Sequence, residues 1–77
     1  MLSKKIIINE LSIFFKISSD SFNEKTIASE IPDWNSLTHA ELIIHLENKF
    51  NFEFNLDELM KIDNVGDLIK IIQKKHK

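Results

Sequence analysis

The chain has 77 residues, 43% hydrophobic and 29% charged, with a formal net charge of −2, one glycine, one proline and no cysteine. That length supports one domain, residues 1–77, with a small core of marginal stability. The missing cysteines exclude a disulfide framework, a thiolate zinc site and a polypeptide thiol nucleophile, and scarce glycine and proline leave few turns for a many-stranded β fold.

The first segment, roughly Ser3 to Ile17, places Ile7, Leu11, Phe14 and Phe15 at helical spacing, with Lys4, Lys5, Asn9, Ser12 and Lys16 largely opposite. Ser18-Ser19-Asp20-Ser21 breaks this pattern. From there to Asn35 no periodicity is sustained, but Phe22, Ile27, Ile31 and Trp34 are spaced to fasten a long loop to a core. Long loops in small domains tend to be functional. Leu37 to Phe50 is the clearest helix, with Ala40, Ile43, Ile44, Leu46 and Phe50 recurring at three- and four-residue steps. After the extended connection Asn51-Phe52-Glu53-Phe54, Asn55 and Glu58 have capping-box spacing for a short helix ending near Lys61. Asp63-Asn64 then caps a last helix with a stripe of Val65, Leu68, Ile69 and Ile72. Its closing lysines suit the negative end of the helix dipole. The expected fold is all-α: a small four-helix bundle of three longer helices and one short one, with a long loop between the first and second.

Charge is unevenly spread. Between Asp20 and Asp67 eleven carboxylates face three lysines, whereas the two ends carry seven lysines and one carboxylate, Glu10. An acidic middle disfavours nucleic acid, whose phosphates require Lys and Arg, and favours basic protein partners. No apolar run is long enough to span a bilayer, and the first residues lack a long hydrophobic region with a cleavage site. A cytoplasmic monomer without membrane contact is the expectation.

Catalysis is hard to build from these residues. His39 and Glu41 diverge on a helix, and His45 with Glu41, four residues apart, reads as a surface pair. Gly66 is the only glycine, so no phosphate-binding glycine loop exists. The distinctive stretch is Trp34-Asn35-Ser36-Leu37, where the long loop meets the best helix. A serine there directs its hydroxyl to solvent, among unpaired N–H groups and the positive end of the dipole, a setting that favours a phosphate ester. Leu37 adds an apolar spot beside it. The local pattern also permits Ser36 or Asn35 as a plain N-cap, and Thr38 with Glu41 as a capping box that starts the helix later.

Over nearly its whole length the chain resembles the acyl carrier protein family. The signature Asp-Ser-Leu appears as Asn35-Ser36-Leu37, and the following helix through Glu41-Leu42 to Phe50 is similar. So are Glu53-Phe54 before a short acidic helix and Ile62-Asp63-Asn64-Val65-Gly66-Asp67-Leu68 at the entry to the last one. The resemblance implies a non-catalytic carrier whose Ser36 receives 4'-phosphopantetheine from coenzyme A through a phosphopantetheinyl transferase. The arm's thiol, which the polypeptide lacks, holds acyl or related cargo as a thioester. It implies that Asn35 and Leu37 flank Ser36 as cofactor-binding residues, and that loading ligases or synthases carry basic docking patches, for which Glu41, Ile44, Glu47, Asp57 and Glu58 are the candidate contacts, with Leu37 also an apolar one. Asn35 in place of Asp removes a charge that the modifying enzyme often recognises. His39, His45 and Lys49 dilute the helix's acidity, and Trp34 is similar to carriers serving polysaccharide or secondary-metabolite synthesis, so the resemblance implies a role in fatty-acid synthesis or in such a dedicated pathway. Ile43, Leu46, Phe50, Leu68 and Ile72 either line a space for an acyl chain or form a filled core. The competing reading is an unmodified acidic helical interaction module.

Overall fold

In the computed structural model, which describes residues 2–76, four helices run in the expected order: α1 (Lys4–Phe15), α2 (Ser36–Phe50), α3 (Leu56–Met60) and α4 (Val65–Lys75). Two single 3₁₀ turns, Ser19–Ser21 and Ala28–Glu30, punctuate the long loop between α1 and α2. No strand occurs among the described residues.

Each helix begins at a side chain that satisfies N–H groups otherwise left without partners. Ser3 accepts from the Ile6 N–H at 3.2 Å. Asn55 and Glu58 form the reciprocal box that their spacing predicts, both bonds 2.9 Å. Asn64 accepts from the Asp67 N–H at 2.8 Å, while the Asp67 carboxylate accepts from the Asp63 N–H at 3.0 Å. Lys16 and Asn51, both left-handed, close α1 and α2.

Ile7, Leu11 and Phe15 from α1, Leu42, Ile43, Leu46 and Phe50 from α2, and Val65, Leu68, Ile69 and Ile72 from α4 form one buried core. The long loop contributes Phe22 and Ile31, and the connection before α3 contributes Phe54. Three positions differ from the spacing-based expectation. Ala40 and Ile44 are exposed. Each lies two residues from a fully buried leucine, Leu42 or Leu46, which at about 100° per residue turns it roughly 160° away from the core. Ile27 is also exposed, and its neighbour Thr26 takes the inward place.

The loop is held by backbone as well as side chains. The Val65 and Gly66 N–H groups at the start of α4 donate to the Thr26 and Glu24 carbonyls at 2.9 and 2.8 Å. Gly66 is required by this approach: a Cβ there would meet the Glu24 carbonyl oxygen at 2.7 Å. The glycine of the Val-Gly-Asp stretch thus ties the last helix to the loop that leads into Ser36.

Candidate functional site

The loop reaches α2 through Asp33, which adopts a positive φ of 66°, a conformation that Asp tolerates better than most residues. Asn35 then sits in extended backbone as the N-cap. Its Oδ1 accepts from the Leu37 and Thr38 N–H groups, both at 3.0 Å. The Thr38 hydroxyl accepts from the Asn35 N–H at 2.8 Å and donates to the Asp33 carbonyl at 2.5 Å. Asn35 is therefore the cap, and Thr38 closes the box from inside the helix. The later start with Thr38 and Glu41 does not form, because the Asn35 side chain reaches two N–H groups at once.

This arrangement makes Ser36 the first residue of α2 and leaves it exposed. Its hydroxyl is committed to no other side chain or carbonyl among the described residues. Next to it Leu37 is 70% exposed. Leu37, Glu41 and Ile44 follow at four- and three-residue steps on the outward face of α2, and all three are exposed.

The other docking candidates have varied surroundings. Asp57 is exposed in the first turn of α3. Glu47 is half-buried, and its carboxylate accepts from the Phe54 N–H at 2.9 Å, fastening the connection that follows α2. Glu58 holds its capping box and also pairs with Lys75 on α4 at 2.7 Å. The hydrogen bond from Lys75, with that from the Asn55 N–H, holds its carboxyl below the usual value. Leu56 and Met60, 71% and 75% exposed, are apolar surface positions on α3 that periodicity did not single out, since a five-residue helix is too short to show a stripe.

The expected pairing of His45 with Glu41 is replaced by one across the bundle. His45 Nε2 lies 2.6 Å from Glu10 on α1, and Lys49 Nζ lies 4.0 Å from the other Glu10 oxygen. Glu10 is 7% exposed, and a buried carboxylate must find partners. The signal was available: Glu10 falls within the Ile7–Leu11 stripe, where a charge needs a partner on the facing helix. A second contact that spacing did not reveal is between Trp34 and His39. The indole stacks on Phe15, centroids 4.9 Å apart, and donates its Nε1–H to His39 Nδ1 at 3.0 Å.

The chemistry of this end of the molecule suits an anionic ester on Ser36. The Ser36 hydroxyl is free and the cap beside it is a neutral amide. The helix dipole presents its positive end, with no acidic residue in the first turn. Residues 34–72 match the family model described as "Phosphopantetheine attachment site". Fold and site together define a phosphopantetheine carrier domain. An acyl carrier protein homolog from Mycoplasmopsis pulmonis is 35% identical over 77 residues, spanning both chains completely. An acyl carrier protein from Chlamydia trachomatis is 38% identical over 74 residues, covering 94% of this chain and 88% of its own. The solution structure of a holo acyl carrier protein from Geobacter metallireducens superposes with a TM-score of 0.86 at 35% identity, covering 97% of this chain and 86% of that one. The chain belongs to the acyl carrier protein family, whose prosthetic group is phosphopantetheine.

Proposed function

We propose that Ser36 is the attachment point of 4'-phosphopantetheine and that the chain, acting as one domain, carries acyl or related cargo as a thioester on the arm's thiol. The observation that carries this reading is the exposed, uncommitted Ser36 hydroxyl at the first position of α2. It lies inside the matched attachment region and beside an exposed leucine. The polypeptide has no cysteine, so thiol chemistry enters only with the arm. The arm comes from coenzyme A through a transferase; loading and processing belong to partner enzymes.

Partners approach the outward face of α2 and the start of α3, where Leu37, Glu41, Ile44 and Asp57 combine apolar contact with negative charge. Basic patches on ligases or synthases fit that surface, with charge steering the encounter. Glu47 and Glu58 contribute to the field there while bonded within the fold. The carrier serves fatty-acid synthesis or a dedicated pathway, such as polysaccharide or secondary-metabolite assembly, and Asn35 and the histidines of α2 are the departures that suit the latter. The test is intact-mass measurement after incubation with coenzyme A, magnesium and a broad-specificity transferase. A gain of one phosphopantetheine, absent in Ser36→Ala, is the expected result. Unchanged mass with several transferases would favour an unmodified interaction module.

A further inference from the structure

Trp34 and His39 form a pair that attachment and docking leave unused. Their rings lie close to parallel, 19° apart with centroids separated by 6.1 Å, and both are half-buried. An indole N–H only donates, so His39 Nδ1 is the acceptor of the 3.0 Å bond. A neutral imidazole that accepts at Nδ1 carries its proton on Nε2. Burial lowers the pKa of His39 from its ordinary value, which favours this neutral form. No group among the described residues accepts from Nε2, so the ring offers one N–H donor to the surroundings.

That donor sits one helical turn from Ser36, a spacing that brings side chains to about 5–6 Å between Cβ atoms. Ser36, Asn35, Trp34, His39 and Ala28 line one groove, and no carboxylate is among them. With Nδ1 occupied and Nε2 protonated, His39 has no free lone pair to act as a base toward Ser36. Trp34 makes it a donor instead.

We propose that the Trp34–His39 pair is a resting site for the prosthetic arm. His39 Nε2–H donates to an anionic oxygen of the phosphodiester on Ser36, and the Trp34 face with Ala28 supports the apolar carbons that follow. This rests on the reading of Ser36 as the attachment point. Because the arm is tethered beside the groove, its effective concentration is high and one exposed hydrogen bond biases its position. The bias concerns the phosphate-proximal part of the arm and leaves the thiol end free to reach partner enzymes.

The test compares isotope-labelled apo and holo protein by ¹⁵N and ³¹P NMR, with intact mass confirming full conversion. The His39 pattern is expected to show the Nε2–H tautomer in both states, with Nε2–H moving downfield on conversion and Trp34 Nε1–H staying bonded. In holo His39→Phe, which keeps a ring but removes the donor, the docked-to-free ratio falls about fivefold, the scale of one solvent-exposed hydrogen bond, and the ³¹P resonance moves accordingly. Trp34→Phe shifts ³¹P in the same direction by releasing the tautomer. Complete conversion with unmoved His39 and Trp34 resonances would overturn the resting site alone. Failure to gain mass would overturn the Ser36 reading, and the resting site with it. The apo–holo comparison needs no variant, so it decides the matter even where a substitution impairs folding.

Discussion

Replacing His45 by leucine leaves Glu10 in the α1–α2 interface without its nearest partner. The lost contact is a 2.6 Å bond to a carboxylate whose side chain is 9% exposed. A bond to a charged acceptor contributes about 1.5–3 kcal/mol, and unpairing a buried ion pair costs about 3–5 kcal/mol. The site lies below that second range, because His45 is 38% exposed and Lys49 at 4.0 Å can move closer. The expected loss is about 2 kcal/mol, a large part of the roughly 4–11 kcal/mol available to a domain of this size. Trp34 is the only tryptophan and stacks on Phe15, so urea unfolding can be followed by its fluorescence. With a slope of about 1 kcal/mol per molar, the midpoint falls by about 2 M. Adding Glu10→Met removes the stranded carboxylate and restores most of the loss, since apolar replacements of buried pairs are often neutral. A midpoint shift below about 0.3 M, or a double variant no more stable than the single one, would refute the reasoning.

Gly66→Ala places a Cβ 2.7 Å from the Glu24 carbonyl oxygen; it is expected to cost about 1–3 kcal/mol and loosen the loop, seen as faster hydrogen exchange at the Val65 and residue 66 amides. Acid destabilises the fold through two groups. Burial holds His39 below its ordinary value and the Lys75 bond holds Glu58 below its own, so the unfolded chain binds each proton first as pH falls and stability drops. The His39 share is lost from about pH 6.5 downward, and the urea midpoint of His39→Phe should fall less over that range; an equal fall contradicts it. Asn35→Asp is expected to accelerate modification by the transferase while retaining the cap, and equal rates for the two forms count against that. Glu41→Lys is expected to slow loading by a partner enzyme with little change in unfolding midpoint, because Glu41 is exposed; altered stability with intact loading kinetics rejects a docking role.

Local chemistry made most of the helix boundaries readable. Asn55 with Glu58, and Asn64 before Val65, are caps whose bonds span only three residues, so spacing alone carries them. The stripe of α4 was equally plain, because its apolar residues all face the core. What spacing could not supply are contacts set by how helices rotate against each other. Ile44 and Ala40 fit a helical period yet face solvent, since period defines a stripe without saying where its edge falls. The pairing of Glu10 with His45 joins residues 35 apart, and only packing of α1 on α2 chooses Glu10 over the sequence-local Glu41. At the start of α2, Asn35-Ser36 was legible as a helix start, but two starts were compatible with the pattern. The choice depended on one Asn35 oxygen reaching both the Leu37 and Thr38 N–H groups. The Trp34–His39 bond crosses from loop to helix, where neither periodicity nor capping rules apply.

The helix start caps α2 with a neutral amide and leaves the adjacent Ser36 hydroxyl uncommitted, and the proposal places an anionic ester there. Tandem mass spectrometry of the Ser36 peptide, from protein isolated from its own cells, tests this most directly. The expected spectrum loses the phosphopantetheine moiety with the modification mapped to Ser36. An unmodified Ser36 peptide across growth conditions, or the arm found on any other serine, would contradict it.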